Sequence, residues 1–424
     1  MAKGNLLLRG GNIIRNGHTR VEDVLIRDGI IVAIGSGIPC PADVPSVDAS
    51  GLFVSYGFAD LHVHFREPGF TAKETIHTGS LAALHGGYTT VCAMPNLNPV
   101  PDSVETLAVE QEIIDRTAVI DVRPYAAITL GRKGGELVDM EALRDRCVAF
   151  SDDGSGVQSS NMMLQAMQTA AALDCIIAAH CEDNTLLHGG YIHDGRYCAA
   201  HGHRGICSES EWGQIARDLE LAARTGCRYH VCHISTRQSV ELIRQAKATG
   251  VRVTCETGPH YLALTDDDLQ EDGRFKMNPP LRSADDREAL IEGLADGTID
   301  AIATDHAPHT ADEKSRGLAG SAMGIVGLET AFPVLCTTLV QTGLVPLERI
   351  VDALTDTPRR IFRLGGRLAV GERADLTLMD LGREGVIDSR AFRSMGHSTP
   401  FDGMEVRGAI HSVLLEGRIV KSEE

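Results

Sequence analysis

The stretch Asp60-Leu61-His62-Val63-His64-Phe65-Arg66 closes an apolar run, Phe53-Val54 through Phe58-Ala59, that reads as a buried strand. Residues i and i+2 of a strand share a face, so the imidazoles of His62 and His64 reach toward one point. A pair of histidines spaced this way occurs by chance in soluble proteins. Its weight depends on where the other nitrogen and oxygen ligands of the chain fall.

Working outward from this strand, apolar runs of strand character recur at Phe58-Leu61, Thr89-Ala93, Val122-Ile128, Cys147-Phe150, Cys175-Ala179, Tyr229-Cys232, Arg252-Cys255 and Ile299-Ala303. Between them lie segments able to form helices: Thr71-Leu84, Asn161-Leu173, Trp212-Thr225 and Thr236-Ala248, the last with Ser235 or Thr236 as its N-cap. Strands alternating with helices at this period predict an α/β fold, a (β/α)8 TIM-like barrel. The rival, a doubly wound open sheet, wants a glycine-rich phosphate turn after its first strand, and none is present.

In such a barrel the working residues stand at the C-terminal ends of strands. Polar groups recur there: His62 and His64 after the first strand, Ser151-Asp152-Asp153-Gly154 after the fourth, His180 after the fifth, His233 after the sixth and Asp305 after the eighth. Each alone has a plain reading, as a hydrogen-bonded core histidine, a turn residue or a helix cap. Packing gives no reason for all of them to share one end of the barrel. Four imidazoles and two carboxylates suit zinc or another first-row divalent ion better than the all-oxygen shells of magnesium and calcium. Six ligands exceed one tetrahedral site but divide between two ions if Asp153 bridges them. Adjacent residues in extended chain point apart, so only one of Asp152 and Asp153 can sit in the pocket, the other being left behind it as a hydrogen-bond acceptor. Two cations sharing a water yield a hydroxide nucleophile near neutral pH, which is hydrolytic amide chemistry.

The chain outside the barrel narrows the choices. From Leu6 to about Val54 short strands alternate with Gly10-Gly11, Asn16-Gly17, Asp28-Gly29 and Gly35, and the pattern returns after Gly371 in Ala374-Met379, Val413-Leu415 and Arg418-Val420. Residues 1–54 plus 371–424 are expected to form one small β-rich domain beside a barrel of 55–370. With 424 residues and 43% apolar content the chain can bury a large core. Forty Lys and Arg against 58 Asp and Glu, a net charge of −18, with no basic tract, argue against nucleic acid. The first residues lack a signal peptide's charged and apolar regions, and no run approaches the ~18 apolar residues that span a bilayer, so a cytoplasmic protein with no membrane partner is expected. The 11 scattered cysteines, without a CxxC pair, read as buried reduced thiols.

Asp60-Leu61-His62-Val63-His64-Phe65-Arg66-Glu67-Pro68-Gly69 resembles the DxHxHxRxPG signature of the dihydroorotases of the amidohydrolase superfamily, in particular the bacterial long-chain, class I type. Further matches are Met94-Pro95-Asn96 with Pro99, Phe150-Ser151-Asp152-Asp153-Gly154, His180-Cys181-Glu182, His230-Val231-Cys232-His233-Ile234-Ser235-Thr236, Glu256-Thr257-Gly258-Pro259-His260, Lys276-Met277-Asn278-Pro279-Pro280-Leu281-Arg282 and Thr304-Asp305-His306-Ala307-Pro308-His309. The resemblance implies reversible closure of N-carbamoyl-L-aspartate to L-dihydroorotate and water in pyrimidine (UMP) synthesis. It implies two Zn²⁺ per subunit, bridged by Asp153 and a hydroxide, with His62, His64 and Asp305 on one and His180 and His233 on the other. Many relatives bridge with a carboxylated lysine; no lysine stands between Ala149 and Gly156.

By the same resemblance Asp305 is also the general acid and base, taking the proton of the attacking water and returning it to the departing nitrogen. His64, Arg66, Asn96, Asn278, His309, Met323 and Gly324 are the expected substrate contacts, with Arg66 and Asn96 as cationic and amide partners of the substrate carboxylate. One departure stands in the loop after the eighth strand. Close relatives tend to read Ala-Pro-Phe-Gly where this chain has Ser321-Ala322-Met323-Gly324, a flexible thioether replacing a ring. A homodimer and an association with aspartate transcarbamoylase are family expectations. Two other readings share the scaffold: a hydantoinase or allantoinase, which commonly uses a bridging lysine, and a silent scaffold, which is recognised by missing ligands.

Overall fold

The computed structural model describes residues 3–422. Eight parallel segments close into the expected α/β barrel. Strands Phe58–Val63, Tyr88–Ala93 and Asp121–Pro124 form one arc, and Ile176–Ala179, Arg228–Val231, Val253–Thr257 and Ala301–Ile302 form another. The fourth segment joins the arcs through Phe150, bridged to Ala126 on one side and Ile177 on the other, and Val63 paired with His306 closes the ring. The fourth strand, expected over Cys147-Phe150, is thus reduced to a single bridging position. The third, expected to run to Ile128, stops at Pro124, which has no N–H to donate.

The apolar run from Phe53 to Ala59 is not one strand. It divides at Gly57: Phe53–Tyr56 pairs with the two chain ends, and Phe58–Val63 enters the barrel. A Cβ on Gly57 would lie 2.1 Å from Thr89 Oγ1, so the crossing between the two layers is too close for any side chain. The end sheet has eight strands, drawn from residues 6–56 and 376–422, and its hairpins turn at Asn16-Gly17, Asp28-Gly29 and Glu416-Gly417. Both residues of each turn have positive φ, the geometry that Asn-Gly and Asp-Gly favour.

Side chains alternate as strand geometry requires. Ile176 and Ala178 pack inside the barrel with Leu61, Cys92, Tyr125, Cys232 and Ala301, and Phe362 joins this interior cluster. Ile177, Ala179 and Val231 face outward into the layer shared with the helices. The expected helices are present with shifted starts. The first begins at Ile76 because Thr75 caps it, its side chain accepting from the Thr78 N–H, so residues 71–74 are not helical. The others span Ser160–Ala172, Glu209–Thr225 and Arg237–Ala248, with Thr236 as the N-cap of the last. All 11 cysteines are unpaired. Among the described residues no helix is long and apolar enough to cross a membrane.

Candidate metal centre and substrate pocket

His62, His64, Asp153, His180, His233 and Asp305 meet at the C-terminal end of the barrel, all buried. Asp153 stands at their centre. Its Oδ1 lies 3.4 Å from His62 Nε2, 3.6 Å from His180 Nδ1 and 3.5 Å from His233 Nε2, and its Oδ2 lies 3.6 Å from His64 Nε2. Asp305 Oδ1 is 3.1 Å from His64 Nε2 and 3.5 Å from His62 Nε2, and His180 Nδ1 is 3.1 Å from His233 Nε2. Most of these separations are long for hydrogen bonds. They match the edges of a tetrahedron, which for metal–ligand bonds of about 2.0–2.1 Å are roughly 3.3–3.4 Å.

The donors form two groups with Asp153 in common: His62, His64 and Asp153, and Asp153, His180 and His233, each group with its ligand atoms within 4.8 Å of one another. His62 Nε2 is buried and has no hydrogen-bond partner, as a nitrogen reserved for a cation would be. Burial works against a charged His62, but Asp153, Glu256 and Asp305 outweigh it and hold this imidazole up at about 10. The same field that would keep a proton there attracts a metal ion. His64, by contrast, is pushed down by burial to about 4, leaving a neutral ring with a free lone pair. The residues therefore fit a pair of divalent ions in charge, donor type and spacing.

Backbone geometry at the strand ends does part of this work. His233 and Asp305 have φ of 34° and 48°, and Arg66 has 60°, all in the left-handed region that non-glycine residues rarely occupy. Cys232 already points into the barrel, so a regular strand would turn His233 outward; the left-handed residue brings its ring back over Asp153. Asp60 ties the first strand to the eighth by accepting from the His62 N–H at 3.0 Å and the Thr304 hydroxyl at 2.6 Å. Asp152 faces away from the pocket, where its carboxylate accepts from the Ile128 and Thr129 N–H groups at 2.8 and 3.1 Å and from the Thr129 hydroxyl.

The expected substrate residues ring this cluster. The Arg66 guanidinium donates from Nε to the Pro308 carbonyl at 3.3 Å, and its Nη2 lies 3.5 Å from His309 Nε2. His309 Nε2 in turn lies 2.9 Å from the Met323 carbonyl. Asn96 has a different orientation from the one expected. Its amide N–H group donates to the Asp153 carbonyl and Oδ2 at 3.0 and 3.1 Å, so the free atom is the buried acceptor Oδ1. Asn278 repeats the arrangement, donating to Glu182 Oε1 at 2.9 Å and leaving its own Oδ1 unpartnered.

Three residues of the site carry no role in the sequence reading, although Glu182 and Glu256 stand in stretches that match the family. Arg132 donates to the Asp153 carbonyl and, at 3.3 Å, to Ser155 Oγ; it sits in an irregular loop, where no periodicity marks it. Glu182 holds Asn278. Glu256, fully buried, sits beneath the cluster with Oε1 3.2 Å from His62 Nδ1 and Oε2 3.1 Å from His230 Nε2. An acid in the middle of an apolar barrel strand was the available signal. His62, Cys232 and Glu256 also lie close together, but burial keeps the Cys232 thiol well above its ordinary range and thus neutral, so this group reads as a hydrogen-bonded support.

The comparisons with known proteins agree with this geometry. Residues 51–239 match the family model described as Dihydro-orotase-like. A protein named Dihydroorotase from Geobacillus sp. (strain WCH70) is 52% identical over 98% of this chain and 98% of its own, and another from Halalkalibacterium halodurans is 50% identical over 99% and 98%. Among solved structures, the L-hydantoinase (dihydropyrimidinase) of Arthrobacter aurescens superposes with a TM-score of 0.89 at 28% identity, covering 100% of this chain and 96% of that one. The D-hydantoinase (dihydropyrimidinase) of Thermus sp. gives 0.83 at 25%, covering 98% and 95%. Identity of about half, sustained from one end of both chains to the other, decides the matter: the chain belongs to the dihydroorotase family.

Proposed function

We propose that this protein is a metal-dependent cyclic amide hydrolase that interconverts N-carbamoyl-L-aspartate and L-dihydroorotate in pyrimidine synthesis, with two zinc ions held by His62, His64, Asp153, His180, His233 and Asp305. The observation that carries the reading is Asp153 at the junction of two donor groups, beside a cationic pocket formed by Arg66. When bound, such an ion pair acidifies a shared water and polarises the carbonyl under attack.

The remaining steps belong to the chain's own side chains. The Pro308 carbonyl and the His309 ring hold the Arg66 guanidinium in place for the ring carboxylate, while Asn96 Oδ1 and Asn278 Oδ1, two buried acceptors without donors, suit the N–H groups of a cyclic ureide. Asp305, held ionised below the ordinary carboxylate range despite its burial because His64, His62 and His233 surround it, accepts the water proton during ring opening and returns it to the leaving nitrogen. Ring closure runs the same steps in reverse. Met323 and Gly324 complete the pocket wall through His309.

The hydantoinase reading is favoured by the structural neighbours. It is opposed by a carboxylate, Asp153, at the bridging position and by Arg66, which an uncharged ring leaves unpaired. A cytoplasmic homodimer, alone or with aspartate transcarbamoylase, is the setting that follows from the family. The test is an assay of zinc-loaded protein with dihydroorotate at alkaline pH and carbamoyl aspartate at mildly acidic pH, because ring opening releases a proton. Turnover of hydantoin or allantoin in preference to both would overturn the proposal.

A further inference from the structure

We propose that Lys314 is a positioning residue that ties together the two substrate-facing segments around Asn278 and around Met323-Gly324, and thereby sets substrate affinity. Lys314 ends the short helix Ala311–Lys314 and is only 7% exposed. Its ammonium donates to the carbonyls of Gly324 at 2.7 Å, Ala322 at 2.8 Å and Lys276 at 3.0 Å. An ammonium has three N–H donors and no acceptor, so this set satisfies it completely.

The three carbonyls lie on two separate segments. Lys276 precedes Asn278 by two residues, and Ala322 and Gly324 flank Met323. The segments also meet through the Gly324 N–H, which donates to the Lys276 carbonyl at 3.1 Å, and the Lys276 ammonium reaches forward to the Ala319 carbonyl at 3.0 Å. Gly324 has φ of 132°, and a Cβ there would lie 2.7 Å from the Ala307 carbonyl oxygen, so only glycine fits this approach. A glycine segment does not hold such a conformation by its own preference. Three hydrogen bonds from Nζ to buried carbonyls, charge-assisted while the amine is protonated, supply what the backbone lacks; burial and the nearby Lys276 bring this group down to about 7. Because the Met323 carbonyl faces His309, the clamp reaches all three groups on that side of the pocket.

The proposal rests on the reading of Asn278, His309, Met323 and Gly324 as substrate contacts. It is tested in the zinc-loaded full-length protein with Lys314→Met and Lys314→Gln, by hydrogen exchange of the Ala322 and Gly324 amides and by steady-state kinetics with dihydroorotate. Expected for Lys314→Met are faster exchange at those amides, KM raised about 10-fold or more, and kcat and zinc content within about 3-fold of wild type. Lys314→Gln, which keeps two N–H donors, is expected to fall between, and it carries the test if the methionine variant does not fold. Unchanged exchange overturns the clamp. Faster exchange with unchanged KM overturns its role in affinity while leaving the dihydroorotase activity standing, and a fall in kcat with unchanged KM does the same. Failure of the activity itself would show instead as a wild-type protein without turnover.

Discussion

The carboxylate of Glu256 lies 3.2 Å from Nδ1 of His62, on the side of the ring opposite Asp153 and Asp305. Its other oxygen is held by His230, whose second nitrogen lies 2.8 Å from Thr254 Oγ1. A carboxylate at Nδ1 fixes the proton there and leaves Nε2 as a lone pair directed at the cation. Glu256→Gln is expected to weaken metal binding by about 10- to 100-fold with the fold intact, read by chelator competition and circular dichroism. Unchanged metal affinity would show that Glu256 only fills space.

In the proposed mechanism Asp305 combines ligation with proton transfer. Asp305→Asn keeps the shape of the side chain but removes its basicity, and turnover in both directions is expected to fall by about 10²- to 10⁴-fold or more. Rapid-quench or spectrophotometric assay of metal-reconstituted variant is the check. Near-normal turnover would assign the proton to another group.

In the proposed reading Arg66 is the residue that distinguishes a carboxylated ring from a neutral one. Arg66→Met is expected to raise KM for dihydroorotate by 10-fold or more, an effect of about 1.4 kcal/mol or above, while any weak activity on hydantoin is unaffected. Equal losses on the two substrates would place Arg66 in a purely structural role.

Stability carries its own pH dependence through His193. Its Nδ1 accepts from Arg282 at 3.2 Å, and burial together with that guanidinium holds the imidazole down at about 4, against 6.5 ordinarily. The unfolded chain takes up this proton near 6.5 and the folded chain only near 4, so the neutral ring's contribution is complete above pH 6.5 and is lost as pH falls toward 4. The stability difference between wild type and His193→Asn in denaturant titrations is therefore expected to shrink over that interval, by up to roughly 3 kcal/mol. A difference independent of pH would contradict the neutral, buried assignment.

Much of this site was legible because strand periodicity and barrel topology put its ligands in predictable places. His62, His64 and His180 follow from the positions where apolar runs end. What was not legible depends on backbone conformations and contacts that no local pattern encodes. His233, although placed at the site by the sequence, reaches the cluster only through its own left-handed backbone after Cys232, and Gly57 divides what reads as one continuous strand. Arg132 acts from an irregular turn and Lys314 from a one-turn helix, and their main partners are carbonyls, which every residue possesses. The reversed amide of Asn96 follows from its neighbour Asp153 offering acceptors, a matter of three-dimensional placement.

The most direct measurement is anomalous diffraction at the zinc edge from crystals of the zinc-loaded protein. Two peaks are predicted, about 3.5–4 Å apart on either side of the Asp153 carboxylate, one facing His62 and His64 and the other facing His180 and His233. A single peak away from Asp153, or none, would contradict the account.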